Sequence, residues 1–187
     1  MSESDVNGEP MPILFLLGPS GSGKTTLAAW ARDDLGFLHL EIDRFREGDG
    51  IDLERLRAEW DAYWKGADAR PLAAVLKARG LAARERGVIL SFPSGVVPSS
   101  QQMTAAAQAD IRVLVLYGTG AECLDAFLQR ERSSGRGLDT DHWIHHNARA
   151  YAAFSCPRLA AHRVLAFSAG RFRTRSELVA EVRERAG

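Results

Sequence analysis

Short, mainly apolar runs alternate along this chain with longer stretches in which apolar residues recur every three or four positions. The runs are Pro12 to Leu17, Phe37 to Ile42, Val88 to Phe92, Ile111 to Tyr117 and Arg163 to Phe167. Runs this short predict strands, and the unbroken apolar run from Pro12 to Leu17 is of the kind expected of a strand buried on both faces. Between them, Leu53, Leu56, Trp60 and Trp64 form one helical stripe, and Leu72, Val75, Leu76 and Ala83 form another. Pro71 suits a first helical position, where its missing N–H removes no intrahelical bond. The spacing predicts further helices over Thr25 to Leu35, ended by Gly36, and at about 100–109, 121–132, 141–155 and 175–185. Strands and helices in alternation predict an α/β fold, with five parallel strands in one sheet and helices on both faces.

At 187 residues the chain suits one domain, expected over residues 11–187. Residues 1–10 are polar and acidic and read as a flexible leader without secretory character. Lys plus Arg (24) equals Asp plus Glu (24), so no net field draws nucleic acid or an anionic membrane non-specifically, and a polyanion site must be local. No apolar run approaches the length of a membrane span. Cys123 and Cys156 are the two cysteines, too few for a disulfide framework, which fits a reducing, cytoplasmic setting. Lys occurs only at positions 24, 65 and 77, which makes a lysine in a special setting informative.

Lys24 has such a setting. Gly18-Pro19-Ser20-Gly21-Ser22-Gly23-Lys24-Thr25 satisfies G-x-x-x-x-G-K-[ST] between a predicted strand and a predicted helix. Glycines let successive backbone N–H groups turn inward around phosphate oxygens, and the following helix N-terminus adds positive potential. Gly18, Ser20, Gly21, Ser22, Gly23, Lys24, Thr25 and Thr26 therefore form the expected phosphate site. Lys24 supplies charge to terminal phosphates, and the Thr25 hydroxyl is the expected ligand to Mg²⁺. With this loop the sequence resembles the small P-loop kinases, the group of adenylate, shikimate, gluconate and uridine kinases. The resemblance is specific over residues 12–43 and extends more weakly to about residue 170. It implies a P-loop NTPase fold with strand order 2-3-1-4-5, ATP and Mg²⁺ as cofactors, and a small-molecule acceptor. It also implies an acceptor-binding insertion at about 44–86 and an arginine-bearing lid at about 130–140.

The second predicted strand leads into Glu41-Ile42-Asp43, and a carboxylate there sits where open α/β sheets bind ligands. Asp43 is the expected base, matching by position the Asp that contacts the acceptor hydroxyl or metal in the resembled kinases. Its competing role is a helix cap. Arg46 is the expected holder of an acidic acceptor group. Glu41 reads as structural, and Trp60, Tyr63 and Trp64 as core. The third strand ends Ser91-Phe92-Pro93-Ser94 with no acidic residue, unlike many P-loop hydrolases and many uridine kinases; Ser91 or Ser94 is the polar group available there. Arg132 and Arg136, with Arg130 in reserve, lie in a Ser/Gly-rich stretch suited to a closing lid. His142, His145 and His146 share helical spacing but lack a completing cluster, and read as a solvated face. Gly170-Arg171-Phe172 falls where the resembled kinases pack adenine. The sequence thus points to transfer of the γ-phosphoryl group of ATP to a small-molecule hydroxyl or phosphate. The alternatives are a nucleotide hydrolase, against which stands the lack of Asn-Lys-x-Asp, and an ATP-binding regulatory protein without kinase activity.

Overall fold

The structure is a computed structural model that describes residues 11–42, 53–66, 68–134 and 140–187. The elements run β1 (Ile13–Leu17), α1 (Lys24–Leu35), β2 (Phe37–Glu41), α2 (Leu53–Trp64), α3 (Arg70–Ala82), β3 (Gly87–Ser91), α4 (Ser100–Gln108) and β4 (Ile111–Tyr117). They continue with α5 (Gly120–Ser133), α6 (Thr140–Phe154), a 3-10 turn over Pro157–His162, β5 (Arg163–Leu165), β6 (Phe167–Ser168), β7 (Arg171–Phe172) and α7 (Arg175–Ala186). The main sheet has the order β2-β3-β1-β4-β5 and every pairing in it is parallel, as the sequence leads one to expect.

β1 is central and wholly buried, which explains why its five residues carry no polar alternation. Successive side chains point to opposite faces, so the strand divides the core in two. Ile13, Phe15 and Leu17 join the cluster under α2, α3 and α4, with Leu56, Tyr63, Leu72 and Leu76. Leu14 and Leu16 join the cluster under α1 and α7, with Leu27, Ala31, Leu178 and Val182. Trp60 and Tyr63 are buried, and Phe92 packs against both Phe15 and Trp60. Three helices begin with reciprocal capping boxes, at Ser99/Gln102, Thr119/Glu122 and Thr174/Glu177, each of which satisfies otherwise orphaned backbone donors.

The last predicted strand differs in detail. It leaves the sheet at Ala166, whose N–H still reaches the Tyr117 carbonyl at 2.7 Å, and refolds as a β6–β7 hairpin. Ala169 (φ 49°) and Gly170 (φ 73°) supply the two left-handed residues of a two-residue hairpin loop. Among the described residues no helix is long and apolar enough to cross a membrane.

Candidate phosphate-binding site

The loop between β1 and α1 owes its shape to glycines at positions where a side chain has no room. Gly21 has φ 77°, and a Cβ there would come within 1.8 Å of the Cys123 carbonyl oxygen, so the loop lies directly on the first turns of α5. Gly23, the N-cap of α1, has φ 90°, and a Cβ there would lie 2.4 Å from the Phe172 ring of the hairpin. The loop is thereby held between α5 and β7. Ser22 is fully buried, and its Oγ has no hydrogen-bond partner among the described residues.

The Lys24 ammonium donates to the carbonyls of Gly18 at 2.7 Å and Pro19 at 3.2 Å, and to Ser94 Oγ at 3.2 Å. It is thus fastened over the loop and linked to the segment after β3. A cavity of about 550 Å³ opens beside it, with Ser20, Gly21, Gly23, Lys24, Thr25 and Thr26 as one wall. Glu41, Ser91 and Ser94 from the strand ends and Arg130, Glu131 and Ser134 from α5 line the rest. Ser91 faces Glu41 in the β2–β3 register, and its hydroxyl lies 2.8 Å from His39 Nε2, which is 3.8 Å from Glu41. A second cavity of about 540 Å³ shares Gly21, Gly23, Thr26 and Arg130 and extends to Phe167, Gly170 and Phe172 of the hairpin. An ammonium and a helix N-terminus beside one space are chemistry suited to a phosphate chain.

The structure brings the loop residues Ser20, Gly21, Gly23, Lys24, Thr25 and Thr26 to one cavity; Gly18 and the buried Ser22 form the turn behind it. Asp43, Arg46 and Arg136 lie outside the described residues, as do the leader and the lid residues 135–139. Arg132 is exposed on α5 and is not among the residues lining the cavity, whereas Arg130 lines both cavities. Residues 130–133 continue α5 as regular helix.

Glu131 is a cavity residue that sequence reasoning overlooked. It is 8% exposed and accepts two hydrogen bonds from the Arg130 guanidinium, at 2.7 and 3.0 Å. Its position follows from spacing, because Cys123, Phe127 and Glu131 recur every four residues and form the buried stripe of α5. His39 was likewise missed, its only signal being its i, i+2 relation to Glu41 on β2. Among the described residues no group of three His, Cys, Asp or Glu side chains is arranged to hold a metal, and this includes the histidines of α6.

This strand order, with a phosphate loop after its central strand, defines the P-loop nucleotide-kinase-like fold. A shikimate kinase from Acinetobacter baumannii in complex with shikimate shares it at TM-score 0.51 and 18% identity, over 94% of this chain and 93% of that one. A shikimate kinase from Bacteroides thetaiotaomicron does so at TM-score 0.53 and 19% identity, over 94% of this chain and 98% of that one. No family model matches the sequence, and no curated protein matches it.

Proposed function

We propose that this protein is a phosphotransferase that moves the γ-phosphoryl group of ATP, bound with Mg²⁺, to a small-molecule acceptor. The observation that carries this is the Lys24 ammonium at the junction of loop and β3 end, beside a cavity that also meets the strand-end carboxylate Glu41. A phosphate chain fits the residues present, since the Lys24 ammonium, the Thr25 and Thr26 hydroxyls and Arg130 line the same cavity. The Thr25 hydroxyl would hold the metal ion, whose contribution is to neutralise charge on the phosphate oxygens. The two shikimate kinases of the same fold support a hydroxyl acceptor by analogy alone.

In this reading the bond from the acceptor oxygen to phosphorus forms as the bond from the β,γ-bridging oxygen breaks, and ADP leaves. Asp43 takes the acceptor proton, and Lys24 holds charge on the transferred group. Arg130, which lines the cavity, is the first cation beyond the loop. Arg132 and Arg136 would join it when the lid closes, and Arg46 stands on the acceptor side. The test is an acceptor panel read by ADP release with purified protein. Acceptor-dependent ADP release is expected; ADP release equal with and without every acceptor would replace the reading with a hydrolase, and ATP binding without turnover would replace it with a regulatory nucleotide binder.

A further inference from the structure

Helix α5 borders spaces of two kinds. Toward α6, a cavity of about 250 Å³ between the phosphate loop and the α5/α6 pair has no charged residue in its walls. Toward the strand ends and the hairpin, Arg130 lines both the cavity beside Lys24 and the one that reaches Phe172, and Glu131 lines the first. Those two cavities share Gly21, Gly23, Thr26 and Arg130, so Arg130 stands at the boundary between them. A nucleotide that fills both, with its terminal phosphates beside Lys24 and its nucleoside against the hairpin, crosses that boundary with the phosphate nearest the nucleoside.

Glu131 is the unexpected member of this pair. It occupies the buried stripe of α5 with Cys123 and Phe127, where an apolar side chain would pack, and it sets a carboxylate beside a space suited to a polyanion. A buried charge is costly unless it is paired, and a like charge near the phosphates repels them. Its geometry shows what offsets this. Glu131 Oε1 accepts from both Nε and Nη2 of Arg130, at 3.0 and 2.7 Å, and the guanidinium lies over the Phe127 ring, 5.3 Å from its centre. Phe127 is itself buried against Trp143, with ring centres 5.4 Å apart. The carboxylate thus fixes one edge of the guanidinium and the ring fixes one face. Because a guanidinium has five N–H groups in a rigid fork, Nη1 and the second N–H of Nη2 keep three donors for an anion. The Arg130 side chain that carries them is 62% exposed.

We propose that Glu131 is a positioning residue: it holds Arg130 with the outer edge of the guanidinium turned to the phosphate at the boundary of the two cavities, so that this long side chain is ordered before the nucleotide arrives. The inference rests on the nucleotide site of the phosphotransferase reading and makes no use of the acceptor. Ordering an unheld arginine at the moment of binding weakens affinity, and the carboxylate removes that penalty in advance. Glu131 therefore acts in two opposed ways. Through Arg130 it favours the phosphate chain, and by its own charge it opposes it.

The test uses the full chain with Mg²⁺, titrated calorimetrically with ADP and with a non-hydrolysable ATP analogue. Arg130→Ala should weaken the analogue about tenfold or more, as loss of a charge-assisted contact does. ADP should weaken by the same factor, because the contacted phosphate is present in both nucleotides. Glu131→Gln keeps the shape and a hydrogen-bond acceptor but not the charge, and should weaken both nucleotides about threefold. In the Arg130→Ala background the same substitution should reverse sign and tighten binding, since only its repulsion of the phosphates is left to remove. A merely structural glutamate would show no such reversal. A melting curve for each variant verifies folding, and Arg130→Met, which keeps the packing on Phe127, takes the place of Arg130→Ala if the latter fails to fold. Tighter binding by the single Glu131→Gln variant overturns the proposal, as does an equal loss in both backgrounds or an Arg130→Ala loss confined to the triphosphate analogue. Analogue binding that Lys24→Ala weakens, and that Arg130→Ala and Glu131→Gln leave unchanged, also overturns it and keeps the phosphate site. Binding indifferent to Lys24→Ala as well removes the nucleotide site, the phosphotransferase reading and this proposal together.

Discussion

Two cavities use Ser20 as a common wall and have opposite chemistry. The one beside Lys24 is bounded by a lysine, an arginine and two glutamates, while the one against α6 has no charged lining residue at all. The difference comes from which elements close each space. Strand ends and the C-terminal turns of α5 present polar groups to the first, whereas the first turns of α5 and the inner stripe of α6 present small and apolar ones to the second. The loop therefore borders two spaces, one lined by charged side chains and one without them.

The largest expected effect breaks the charged side alone. Lys24→Ala removes a charge-assisted contact of about 1.5–3 kcal/mol to terminal phosphates, so ATP affinity or turnover should drop about tenfold or more. Calorimetry with ATP and an ADP-release assay measure this, and unchanged values in both would dismiss the loop as a phosphate site.

Gly21→Ala should disturb both sides at once, since the new methyl would press on the Cys123 carbonyl from a left-handed backbone position. A non-glycine residue held there costs about 1–3 kcal/mol, and relief requires the loop to leave α5. A lower melting temperature together with weaker ATP binding is expected. A variant as stable as the parent, with normal ATP affinity, would show that the loop does not depend on this contact.

The last test sharpens the contrast without a mutation. Because desolvation holds the buried Cys123 thiol near 11, it stays almost wholly protonated at pH 8, and alkylation there should proceed about a hundredfold slower than at an ordinary thiol. The rate should rise with pH toward that value. Mass mapping of the labelled protein follows it against Cys156, which is half-buried. Labelling of Cys123 as fast as Cys156 at pH 8 would mean that the apolar side is open to water.

Most of the fold was legible, because each strand buried on both faces must be a short apolar run and each helix must repeat its apolar face. The five runs became the five strands of the sheet, and the phosphate loop lay where strand gave way to helix. Glu131 is legible in principle from the stripe that begins at Cys123 and Phe127, since the same four-residue spacing carries it to the buried face of α5. The departure of the chain at Ala166 was harder to see, since the apolar run carries on through Phe167 while the hairpin depends on the backbone of Ala169 and Gly170. The apolar cavity had no sequence signature. Its walls come from residues near 19, 123 and 147, which only the packing of α6 on α5 brings together.

The alternation along β1 bears on how this molecule can be altered. Phe15 and Leu17 belong to the half of the core under α2 to α4, and Leu14 and Leu16 to the half under α1 and α7. A designer can therefore treat the strand as two interleaved alphabets. A library drawn at the odd positions repacks the half beneath the helices that follow β2, and the helix that carries Lys24 keeps its own footing on the even ones.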